Sequence, residues 1–118
     1  MTDQEANIKM AEMCGYNHYG PNKLMVWRPD PETPKYTQER PRHWNPAKNI
    51  EQAFEVLEAL PVLYDVCKES GGKIYPRFYA VSIYNYESDF ICQGLENERR
   101  YPEAIFQAVK KYLEAEYE

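Results

Sequence analysis

Long apolar runs are missing from this 118-residue chain. No stretch approaches the roughly 20 residues that a membrane-crossing helix needs, so no membrane segment is expected. Glycines number only five and form neither a GxGxxG nor a Walker pattern, which removes the common phosphate-cradling loops. Gly71–Gly72 reads as a turn. The two histidines, His18 and His43, have no second His or Cys at zinc-ligand spacing, so neither a metal site nor a cofactor is expected. The three cysteines, Cys14, Cys67 and Cys92, include no CxxC pair and follow no secretory signal. They read as reduced, partly buried thiols of a cytoplasmic protein. A basic excess is lacking too, with a net charge of −5 and a pI near 5.1. Such a chain has no broad positive field for holding duplex nucleic acid by its phosphates, although it suits a basic surface on another protein.

The composition, 43% hydrophobic and 28% charged, is that of a folded domain, and 118 residues are most simply one domain spanning 1–118. Eleven tyrosines are the one surplus. Each supplies a stiff contact area with a polar tip, useful in a core or on a binding face.

The strongest helix signal is WNPAKNIEQAFEVLEAL, Trp44 to Leu60. Asn45 is a good N-cap and Pro46 suits the first helical position, which predicts a main helix over about 45–60. Ile50, Ala53, Phe54, Leu57 and Leu60 make one apolar stripe at a period near 3.6, with Lys48, Gln52, Glu55 and Glu58 on the solvated side. Pro61 ends it. A second stripe, Ile105, Ala108, Val109, Tyr112 and Leu113, predicts a C-terminal helix over about 102–115. Thr2 and Glu5 form a capping box for a short helix over 3–14, with Ile8, Ala11 and Cys14 inward and Gly15 as its stop.

Between the helices the signals are β-like. Tyr16 to Pro21 reads as a turn and Leu24–Trp27 as a first short strand. Pro29, Pro31, Pro34 and Pro41 then make residues 28–43 a proline-rich loop, because proline interrupts ladder pairing. Loops of this length in small domains often carry function. Val62–Cys67 fits either a strand or a further helical turn. Residues 77–86, RFYAVSIYNY, are aromatic and β-branched, and with 89–94 they predict a hairpin over about 77–94. Tyr79, Val81 and Ile83 share one face, onto which the main helix should pack. The expected fold is α+β: a small antiparallel sheet of three to four strands packed with two main helices and a short N-terminal helix, in an α-β-α sandwich.

Two features together resemble a known family. Trp44-Asn45-Pro46 followed by Ala53-Phe54-Glu55-Val56-Leu57-Glu58-Ala59-Leu60 is the first. The closing Pro102-Glu103-Ala104-Ile105-Phe106-Gln107-Ala108 after a hairpin is the second. Their order resembles the phage ABA sandwich domain, a family of small bacteriophage and prophage proteins, over roughly residues 6–113. The resemblance implies an antiparallel sheet packed with helices, a phage origin and no established enzymatic activity. It brings no catalytic residues to transfer.

The candidate binding residues fall in two groups. Arg42, His43 and Trp44 precede an amide-rich helix start that can attract an anion. Arg77, Tyr79, Tyr84 and Tyr86 interleave a cation with rings on the hairpin, with Arg99 and Arg100 near its return, a set able to stack bases and hold a phosphate. The same tyrosines equally suit packing beneath helices. The leading expectation is a non-enzymatic phage accessory protein in the host cytoplasm, acting by contact with a host protein of an anti-phage defence system. A sponge for a nucleotide-type immune signal is the alternative, and a small hydrolase using Cys67 or His43 is the third. An exposed tyrosine-bearing sheet is also expected to favour a homo-oligomer.

Overall fold

Thr2 caps the first helix as its sequence demands. Its hydroxyl oxygen accepts from the Glu5 amide at 3.1 Å, and α1 runs Asp3–Met13 in this computed structural model. The structure describes residues 1–20, 24–28, 41–69, 78–84, 90–97 and 100–117, and the side chains of 63, 67–69, 78, 79, 95–97 and 117 fall outside that description. The helix ends in a Schellman motif: Gly15 takes φ +81°, its amide donates to Glu12 O at 3.0 Å, and the Tyr16 amide donates to Ala11 O at 3.1 Å. Ala6, Met10 and Ala11 are the fully buried face, so the inward side lies about one residue round from the expected Ile8–Cys14 stripe.

Two three-stranded antiparallel sheets follow, giving an α+β fold. The first comprises β1 (Asn17–Tyr19), β2 (Met25–Trp27) and β3 (Arg42–His43), in that order. Residues 17–19 were expected as a turn and Arg42–His43 as loop. Both pair with β2, His18 opposite Val26 and Val26 opposite Arg42. The second sheet comprises β4 (Leu63–Glu69), β5 (Phe78–Tyr84) and β6 (Phe90–Asn97). The open choice at 62–67 therefore resolves to a strand, and the expected hairpin exists with a second strand that starts at Phe90 and runs three residues beyond Gly94. Gly94 does not end that strand; β6 passes through it. The turn expected at Gly71–Gly72 lies outside the described residues, as do residues 85–89 of the hairpin.

The main helix, α2, runs Ile50–Ala59. Asn49 rather than Asn45 is its N-cap, the side chain accepting from the Gln52 amide at 3.1 Å. Asn45 instead opens a turn: its carbonyl accepts from the amides of Lys48 (3.1 Å) and Asn49 (3.0 Å), with Pro46 buried inside it. The inward stripe keeps Ala53, Phe54, Leu57 and Leu60, adds Val56 and leaves out Ile50. Ala53, Val56 and Leu57 are buried in the helix and Leu60 just beyond it, while Ile50 is 37% exposed. Asn49→Ala should therefore lower stability by about 1 kcal/mol, with Asn45→Ala within about 0.5 kcal/mol of wild type. Urea melts check the pair, and a larger loss at Asn45 would put the cap at the wrong residue.

The last helix, α3, spans Tyr101–Tyr117 and lies across β5 and β6. All five residues of its expected stripe are buried, together with Ala104 and Phe106. Val81 and Ile83 of β5 are fully buried in the same core, and Gly94 of β6 meets the backbone of Ala104 and Ala108. The main helix, α2, packs chiefly against α3 and α1, with Phe54 edge-on to Tyr101 at 5.7 Å, and its Ala53, Val56 and Leu57 join Val81 and Ile83 in one core. Lys110 ties α3 to the start of α1 through Asp3 at 2.8 Å. The other face of the second sheet carries Tyr84 and Phe90 in an edge-on pair at 5.9 Å, with Phe90 59% exposed.

Candidate functional site

The Schellman turn at Gly15 delivers Tyr16 to the point where both ends of the 28–43 segment meet α2. Tyr16 is 4% exposed, and its ring lies 5.3 Å from the Trp44 ring. The guanidinium of Arg28, just after β2, stands 5.3 Å from the Tyr16 ring centroid, and that of Arg42, on β3, stands 5.1 Å from it. Such cation–ring contacts favour the charge beside the ring's negative face. Both guanidiniums donate to the Tyr16 hydroxyl, which itself donates to the Glu55 carboxylate. Glu55 also pairs with Arg28 at 2.9 Å and lies 3.8 Å from Arg42.

Burial pushes the Tyr16 phenol above its ordinary range, reinforced by its hydrogen bond to Glu55 and opposed by Arg28 and Arg42. Arg28 is held further toward its charged form by bonding to Tyr16 and then Glu55. Cys14, the C-cap beside this cluster, is pushed up to about 11, first by burial and then by Glu55. Such a thiol is largely un-ionised at neutral pH and a poor nucleophile. Cys92 is likewise raised to about 11 by burial, with Lys111 opposing, and its thiol donates to Ala108 O at 3.2 Å.

Gln52 locks the other side of the site. It was expected on the solvated face of the helix but is 6% exposed. Its amide donates to His43 O at 2.8 Å, and its oxygen accepts from the Asn45 amide at 2.7 Å. One side chain thereby fixes the path from β3 into α2. Arg28, Arg42, His43, Asn49, Glu51, Gln52 and Glu55 line an open cleft of about 570 Å³. Among the described residues two guanidiniums and two carboxylates line it, so that part of the lining carries balanced charge.

Of the residues singled out in the sequence, Arg42, His43 and Trp44 do meet at this place. Trp44 takes part from the inside: it is 1% exposed and donates its indole N–H to Asn7 O at 3.1 Å. Tyr84 stands on the second sheet against Phe90, and Arg100 pairs with Glu103 at 2.6 Å where α3 begins. Arg77, Tyr86 and Arg99 lie outside the described residues, as does the side chain of Tyr79. Cys67 and His43 belong to different sheets. No family model, curated protein or solved structure matches this chain. Among the described residues, no group of three or more His, Cys, Asp and Glu side chains is placed to hold a metal, and no helix is long and apolar enough to cross a membrane. Tyr16, Arg28, Gln52 and Glu55 were not foreseen. The only sequence signal for them was arginine at both margins of the proline-rich segment.

Proposed function

We propose that this protein works by binding, as a non-enzymatic phage accessory protein that contacts a host protein of an anti-phage defence system. The proline-rich segment is the contact element. One observation carries this reading: Arg28 and Arg42, at the two ends of that segment, converge on Tyr16 and Glu55. Closing a loop costs entropy, and a cluster that holds both ends meets that cost before a partner arrives. The Val26–Arg42 pairing helps for the same reason. The phage setting rests on the family resemblance alone.

The test is capture from a lysate of a defence-bearing host, together with phage growth on that host. Wild type should retain a protein and raise phage yield. Arg42→Ala, a change at an exposed side chain, should lose both while keeping its fold by circular dichroism. If wild type retained nothing and left phage growth unchanged, the reading would fail.

A second reading has one observation in its favour, the arginine-lined cleft beside the start of α2. There a nucleotide signal would be sequestered, its phosphate competing with Glu55 for the guanidiniums. Heat on titration with cyclic and linear nucleotides, lost in Arg42→Ala, would favour it over protein capture. Self-association is part of the same proposal, with exposed Phe90 and its half-buried neighbour Tyr84 as the contact. Light scattering at micromolar concentration should give a dimer or larger, reduced by Phe90→Asp. A monomer in the wild type refutes it.

A further inference from the structure

One carboxylate oxygen stands at the focus of the arginine cluster. Glu55 Oε1 accepts from the Tyr16 hydroxyl and from Arg28 Nη2 at 2.9 Å, and Arg42 Nη2 lies 3.8 Å from it. The three donors reach this point from different parts of the fold: the chain after α1, the residue after β2, and β3. Glu55 itself projects from the middle of α2. Two guanidiniums and a hydroxyl aimed at one oxygen are a donor set suited to a phosphate, whose oxygens accept the same charge-assisted bonds. In this protein its own carboxylate fills that place.

The contact is open to exchange. The side chains of Arg28, Arg42 and Glu55 are 56%, 49% and 29% exposed. Ion pairs so open to water are screened by salt and add little to stability, so folding alone gives weak reason for this one. A ligand reaches it along the cleft that the same three residues line. A phosphate group carries about 1.5–2 negative charges at neutral pH against one on Glu55, which favours it on the guanidiniums. Glu55 opposes the exchange because it is tethered beside them, and its charge repels any anion that approaches.

We propose that Glu55 is an autoinhibitory ligand of the Arg28–Arg42 pair, which a phosphate-bearing molecule displaces. The inference rests on the second reading above, sequestration of a nucleotide, and supplies its control. Only a ligand whose phosphate outcompetes the tethered carboxylate is retained. On displacement both guanidiniums keep an anion between them, and the Tyr16 hydroxyl donates to a phosphate oxygen instead of to Glu55.

Titration calorimetry at low salt with inorganic phosphate, pyrophosphate and ATP should compare the wild type with three variants. Glu55→Gln keeps the side-chain size and an oxygen that can accept from Tyr16, while removing the charge. It should bind phosphate or pyrophosphate at least about tenfold more tightly than the wild type. Glu58→Gln removes the same charge from an exposed position one turn along α2, and its gain should be clearly smaller. Adding Arg42→Ala to Glu55→Gln should abolish the gain. Equal affinity in wild type and Glu55→Gln, whether both bind or neither does, would overturn the proposal. An equal gain in Glu58→Gln, or a gain that survives Arg42→Ala, would overturn it too. Tighter phosphate binding in Glu55→Gln with no binding of ATP to any variant would support the autoinhibition and sink the nucleotide reading. Binding of ATP to the wild type with no gain in Glu55→Gln would do the reverse.

Discussion

Replacing Gly94 by alanine should destabilise the protein by about 3 kcal/mol, and replacing it by valine should prevent folding. The direction is the informative part. Glycine inside a strand ordinarily costs about 0.5–1 kcal/mol relative to alanine, so a generic Gly→Ala change in a strand would stabilise. Here a Cβ on residue 94 would lie 2.6 Å from Ala108 N and closer still to Ala104 O, both backbone atoms of α3. No rotamer change relieves a clash with backbone, so α3 must lift from β6. That would open the contact in which Val81, Ile83, Ala104, Ala108 and Val109 are buried. Ala108→Gly should not rescue the variant, because the nearest atoms belong to the main chain. Chemical denaturation of G94A and the double variant checks this; unchanged or raised stability in G94A would show that α3 does not approach β6 so closely.

Trp44→Ala should cost about 3–5 kcal/mol, a large part of the ~5–15 kcal/mol that typically holds a domain of this kind together. Trp44 is among the largest fully buried side chains, and three contacts depend on it. Its ring packs beside Tyr16, its indole N–H bonds Asn7 O across to α1, and its amide donates to Leu24 O at 2.9 Å. Alanine keeps the backbone bond and loses the other two, leaving a cavity between the first sheet and α1. Trp44→Phe should fall well short of that loss, at about 1–2 kcal/mol, since the ring volume is largely kept while the bond to Asn7 is not. Because Trp44 packs against Tyr16, W44A should also loosen the arginine cluster. Denaturation midpoints measure the first effect and near-ultraviolet circular dichroism the second. A loss under about 1 kcal/mol in W44A would mean that Trp44 is not the keystone between α1 and the first sheet.

These two positions also mark how unevenly the chain announces its structure. The stripe of α3 was legible because each of its five residues obeys a helical period and each is buried. The cap and end of α1 were legible because Thr2, Glu5 and Gly15 act through bonds only a few residues apart. The alternating run at 78–84 was legible for a similar reason. By contrast, two candidate N-caps stand four residues apart at Asn45 and Asn49, and local chemistry favours the first because proline follows it. The choice went to Asn49 because Gln52 takes the Asn45 amide and the His43 carbonyl, fixing the chain before the helix begins.

The candidate site was legible only at its margins. Arg42, His43 and Trp44 are adjacent in sequence and could be read as a group. Tyr16, Arg28 and Glu55 are 12 to 39 residues apart along their bonds and meet only after α1, the first sheet and α2 have packed. Glu55 and Gln52 look like solvated helix positions, since periodicity records polarity and not which neighbour arrives. The division between sequence and fold therefore follows the range of the interactions. The sequence alone determined the α+β class, the three helices and the β5–β6 hairpin, because capping, periodicity and turn chemistry act over a few residues. Only the tertiary structure decided the split into two sheets, the docking of α2 on α3, the close approach at Gly94 and the Tyr16–Arg28–Arg42–Glu55 cluster. Each of these depends on which distant surfaces exclude water together, and no local pattern encodes that choice.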